Sequence, residues 1–132
     1  MTLRTQRNLD VAMHGEAFVA AKYKRFAAFA RTRGNADCAE LLNSLADESR
    51  IGHFADEFRL AGLLSEDAQN LQDALRDKLY HVERYRQFAE EAKQDGDERA
   101  AKLFETLMKD DQTWIGKLEK AVAETGKTTE QS

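Results

Sequence analysis

The chain matches itself when it is slid by 62 residues, and no gap is needed. Asn8-Leu9 falls on Asn70-Leu71, Ala12 on Ala74, Tyr23 on Tyr85, Phe26-Ala27 on Phe88-Ala89, Ala30 on Ala92 and Gly34 on Gly96. A repeat of this length is one supersecondary unit used twice. The 132 residues contain no proline. Proline removes a backbone donor and breaks helix interiors, so its absence fits long helices. Gly34-Asn35, Gly62, Gly96-Asp97 and Gly126 are the main breaks. Each glycine suits a helix C-terminus, where left-handed backbone costs it little, and Asn35, Ser65 and Asp97 suit the N-caps that follow. These signals predict four helices over 3–33, 36–61, 66–95 and 98–125, forming two related hairpins, 3–62 and 66–125, of one domain that spans 1–126. Residues 127–132 read as a polar tail.

Apolar residues follow helical spacing. Leu9, Ala12, Met13, Ala20, Tyr23, Ala27 and Ala30 line the first helix; Leu71, Ala74, Leu75, Val82, Tyr85, Ala89 and Ala92 line the third. Leu42, Leu45 and Gly52 mark the second, and Phe104, Leu107, Trp114 and Leu118 the fourth. The net charge of −4 lacks the basic footprint that phosphate binding needs, so nucleic acid is not expected as a partner. No segment reaches the roughly 18 apolar residues of a membrane-spanning helix, and residues 1–10 lack an apolar signal core; a cytoplasmic protein is expected. The single cysteine, Cys38, excludes an internal disulfide framework and reads as a small, partly buried residue.

Polar residues interrupt the inner stripes. Glu16 stands where the first helix should present an apolar residue, and its repeat partner Lys78 does so on the third. Asp111 interrupts the fourth helix and its partner Ser49 the second. A carboxylate in a core is costly unless paired, hydrogen-bonded or bound to metal, and carboxylates on facing helices of a bundle are how two-metal sites are built.

The run Asn8-Leu9-Asp10-Val11-Ala12-Met13-His14-Gly15-Glu16-Ala17-Phe18 resembles the first helix of the rubrerythrin branch of the ferritin-like proteins. Ala46-Asp47, His53-Phe54, Leu60-Ala61-Gly62-Leu63, Asn70-Leu71, Glu83-Arg84-Tyr85 and Gln87-Phe88-Ala89 extend the resemblance over residues 5–122. It implies an all-α, ferritin-like four-helix bundle. The family's metal pattern is a Glu on the first helix, Glu-x-x-His on the second, Glu-x-x-Glu on the third and Glu-x-x-His on the fourth. Carried onto this chain, Glu16 is intact, while Ser49 and Gly52, Asp77 and Tyr80, and Asp111 and Trp114 fill the other places, with His53 one place beyond Gly52. Register on the third helix stays open between Asp77 and Lys78. With only one Cys, the iron–thiolate module of full-length rubrerythrins is absent from this chain.

The resemblance therefore implies the bundle without its di-iron centre: either no metal or a single Fe or Mn ion. In the first case Glu16 is expected to be neutralised by Lys78 or Arg50, Tyr80 and Trp114 to fill space beside it, and Ser49 and Gly52 to leave room for a small ligand. The function expected is that of a structural or binding protein; the alternative is a residual metal site, with His53 among its ligands, acting on O₂ or peroxide. A homodimer that exchanges hairpins is also expected. The link from Gly62 to Ser65 is too short to run back along a helix of about 39 Å. One chain folding up-down-up-down is the other arrangement that short links allow.

Overall fold

In the computed structural model the described residues, which are 1–131, with side chains through Thr125, form helices joined by short turns, with no strand among them. Helix α1 is Leu3–Thr32. Helix α2, Ala36–Asp47, runs without a break through a π-helical segment, Glu48–Phe54, into α3, Ala55–Ala61. Helices α4 and α5 are Asp67–Gln94 and Glu98–Gln131. The chain is all-α, with four helical rods, and it divides into two compact units, Met1–Leu64 and one starting at Ser65. In the first, α1 packs on α2, the π segment and α3; in the second, α4 packs on α5.

The two hairpins turn through the same pair of backbone bonds. The Gly34 N–H donates to Arg31 O at 3.0 Å and Asn35 N–H to Ala30 O at 2.9 Å; 62 residues on, Gly96 donates to Lys93 O at 3.1 Å and Asp97 to Ala92 O at 2.8 Å. Gly34 and Gly96 take φ of 74° and 78°, a left-handed conformation that side chains resist. Such a cap satisfies the last carbonyls of the first helix while reversing the chain. Asn35 then caps α2, its side-chain oxygen accepting from the Cys38 N–H at 3.1 Å.

The cores repeat as well. Val82, Ala89, Ala92, Ala101 and Asp111 are buried in the second hairpin, and their counterparts Ala20, Ala27, Ala30, Ala39 and Ser49 are buried in the first. Alanine dominates, so the helices approach closely and the buried stripe is narrow. Large apolar residues, Phe18, Phe29, Leu41, Tyr80 and Trp114 among them, stay exposed on the single chain.

Four local expectations differ. The helix over 36–61 is not uniformly α, because of the π segment. Helix α4 starts at Asp67 with Glu66 as N-cap. No side chain caps its first turn; Ser65 is itself held by Asn70, whose side-chain oxygen accepts from the Ser65 N–H at 3.1 Å and whose amide donates to Ser65 O at 2.8 Å. Cys38 is exposed, at the rim of an opening it shares with Phe26, Phe29 and Ala30 of α1. Helix α5 does not end at 125: its backbone continues to Gln131, since an interior glycine such as Gly126 costs only about 1 kcal/mol. The polar tail expected at 127–132 lies beyond the residues whose side chains are described. No described helix is long and apolar enough to cross a membrane.

Candidate charge-compensated site

The first hairpin gathers Glu16, Glu48 and His53. At 3.6 residues per turn, Glu48 and His53 would lie about 140° apart on an α-helix. A π-helix closes i to i+5 bonds instead, so the wider turn sets His53 beneath Glu48. The result is a histidine between two carboxylates: Nδ1 is 3.3 Å from Glu16 Oε1 on α1, and Nε2 is 3.3 Å from Glu48 Oε1. Glu16 is largely covered, its side chain 26% exposed, while His53 is 54% exposed. Ser49, on the same π segment, is buried. A Cβ added at Gly52 would meet nothing within 4 Å.

Arg50 does not reach Glu16. It stands on the neighbouring face, 3.8 Å from Asp47, and Lys24 holds the same carboxylate at 3.0 Å. Here a cavity of about 250 Å³ opens between the helices, lined by Ala17, Ala20, Ala46, Phe54, Lys24 and Arg50. This opening beside Arg50 is in addition to the open space at the Gly52 Cβ position.

The second hairpin carries its own pair. Lys78 Nζ lies 3.1 Å from Asp111 Oδ1, with Asp111 buried and Lys78 partly open to solvent. Asp77, about 100° further back on α4, is exposed, so of the two open registers Lys78 is the one at the hairpin contact. Tyr80 does not reach Asp111. It is 61% exposed, with Arg84 5.9 Å from its ring, because it lies roughly 200° around α4 from Lys78. Trp114 is 52% exposed rather than a core filler, with Lys117 4.7 Å from its ring. Further along, Lys93 grips Glu105 across the hairpin at 2.6 Å. That hydrogen bond and the opposite charge raise the Lys93 pKa and lower that of Glu105.

Among the described residues no three His, Cys, Asp or Glu side chains converge as a metal would need. The reason at His53 is geometric: its two ring nitrogens face different carboxylates, so Glu16 and Glu48 diverge. Three of the residues that the resemblance sets at ligand places do not suit a dinuclear centre. Gly52 has no donor, Trp114 is exposed, and the Asp111 oxygen is already taken by an ammonium.

Glu48 is the site residue that sequence reasoning missed. Its only signal was a five-residue spacing to His53, which an α-helical template discards. Compared with known proteins, the chain matches no family model, and no curated protein is significantly similar to it.

Proposed function

We infer that this is a metal-free member of the ferritin-like bundles, of rubrerythrin type, that works as a structural or binding module and not as an oxidoreductase. One observation carries this. The most buried carboxylate among the described residues, Asp111, faces an ammonium group at 3.1 Å, at the repeat position where the other hairpin has Ser49. Lys78 supplies the charge that a metal ion would otherwise supply to buried acid. Two copies forming a homodimer by exchanging hairpins completes the reading: it would cover the large apolar side chains left exposed on each chain.

Anaerobic titration of the purified protein with Fe(II) or Mn(II), followed by metal analysis after desalting, tests it. Well under one equivalent should be retained, and peroxide consumption should not rise with added iron. Retention of two equivalents together with iron-dependent peroxide turnover would overturn it. The π segment favours one competing reading, a single Fe or Mn ion taken by Glu16, Glu48 and His53 after the imidazole turns. One retained equivalent, lost in Glu48→Gln, is the result that would select it.

A further inference from the structure

Helix α1 carries a second stripe, away from its buried one. Arg4, Arg7, Val11, Gly15, Phe18, Lys22, Arg25, Phe26, Phe29 and the C-cap residue Arg33 share an arc roughly 100° wide at 3.6 residues per turn. The arc holds five cations and no carboxylate. Val11, Phe18, Phe26 and Phe29 are exposed, 49–72%. None of the five cations has an ion-pair partner among the described residues; Lys22 and Arg33 lie over the rings of Phe18 and Phe29.

The same arc on α4, 62 residues on, has the opposite charge. It carries Glu66, Asp73, Asp77, Glu91 and Asp95 against the single cation Arg84, around Tyr80 and Phe88. Asp73 is engaged on its own helix by Gln69 and Arg76, while Glu66, Asp77 and Asp95 make no ion pair among the described residues. The repeat has kept the aromatic centre of the stripe and reversed its charge.

Charge position selects a direction. Laid antiparallel with Phe18 on Tyr80, the stripes set Arg4 by Asp95, Arg7 by Glu91, Lys22 by Asp77, Arg25 by Asp73 and Arg33 by Glu66, with Val11 on Phe88 and Gly15 under Arg84. No like charges meet. Laid parallel on the same centre, Lys22 meets Arg84, and only Arg4–Glu66 and Arg33–Asp95 are favourable.

Direction also selects the partner. A chain that simply alternates up and down runs its first and third helices parallel. To run them antiparallel within one chain, the link between Ala61 and Asp67 must return along a helical rod about 39 Å long, from Ala36 to Ala61. Its five residues reach about 16–18 Å. We propose that the α1 stripe is the docking surface for the α4 stripe of a second copy of this chain, antiparallel, with Phe18 against Tyr80 and five flanking ion pairs setting the register. This rests on the dimer reading above for its occupant alone, a second copy, and joins the copies through the faces of α1 and α4 that lie away from their hairpin contacts.

The test uses full-length protein in a Cys38→Ser background. Single-cysteine variants are co-expressed in pairs under different tags, purified through both tags and treated with a short bis-maleimide. Arg4→Cys with Asp95→Cys, and Arg33→Cys with Glu66→Cys, should cross-link between chains. Arg4→Cys with Glu66→Cys, and Arg33→Cys with Asp95→Cys, should not. The reverse pattern overturns the register, and a dimer without any of these links places its interface elsewhere while leaving dimerisation standing. A monomeric mass by light scattering at micromolar concentration overturns both. As a second measurement, Arg7→Glu/Arg25→Glu should weaken the dimer about tenfold, the scale of a few surface ion pairs. Adding Glu91→Arg/Asp73→Arg to the same chain should restore it, and failure to restore refutes the pairing.

Discussion

Lys78 and Asp111 show how unequal the two members of an ion pair are. Asp111 is buried and has little access to water, whereas the Lys78 ammonium reaches the surface on a flexible stem. Removing the lysine strands a carboxylate; removing the aspartate frees a cation that solvent accepts. Lys78→Met should therefore destabilise by roughly 1–3 kcal/mol, the cost of an unpaired buried polar group, and Asp111→Ala by clearly less. Urea unfolding of both single variants and the double variant checks this. Equal losses, or no coupling in the double-mutant cycle, would show that the pair does not stabilise the hairpin. The sequence marked both residues, because each breaks an apolar stripe. It could not assign their partners: a stripe position says that a side chain faces inward, and says nothing of which of several inward charges lies at contact distance. Hence Arg50, expected on Glu16, is on Asp47, and Glu16 is faced by His53.

Among the elements, the positions of the hairpin turns were legible, because Gly34 and Gly96 need φ values that few other residues tolerate. The π segment was not legible. Its residues keep enough apolar spacing to pass as α-helix, and the wide turn shows only in the Glu48–His53 approach that it creates. Glycine substitutions separate the two situations. Gly34→Ala and Gly96→Ala should each lose about 1–2 kcal/mol, the cost of left-handed backbone for a side chain, and by similar amounts, since the two turns share one bonding pattern. Gly52→Ala lies in helical backbone with open space at the Cβ position. It should gain about 0.4–1 kcal/mol by narrowing the unfolded ensemble. Thermal and urea unfolding of the three variants decide it; a destabilised Gly52→Ala would mean that the π segment itself depends on glycine.

For the whole molecule, the two halves differ in charge far more than in pattern. Residues 1–62 carry nine basic and eight acidic side chains, a net +1, while residues 63–132 carry 11 and 16, a net −5. If two copies join through apolar side chains alone, added salt should leave their affinity unchanged or tighten it, as salting-out ions favour apolar burial. If the register comes from the cations of α1 against the carboxylates of α4, salt should loosen it. The five proposed pairs flank an aromatic centre and stay near solvent, where screening acts most strongly: the Debye length falls from about 10 Å at 0.1 M to about 3 Å at 1 M salt. The dimer dissociation constant, measured by sedimentation over a series of NaCl concentrations, should therefore rise several-fold between 0.05 and 0.5 M, about the amount that a few exposed pairs contribute. The salt dependence should shrink in Arg7→Glu/Arg25→Glu and return when Glu91→Arg/Asp73→Arg is added. A constant that falls with salt would show that apolar contact, and not the opposed charges of the two repeats, determines how the copies meet.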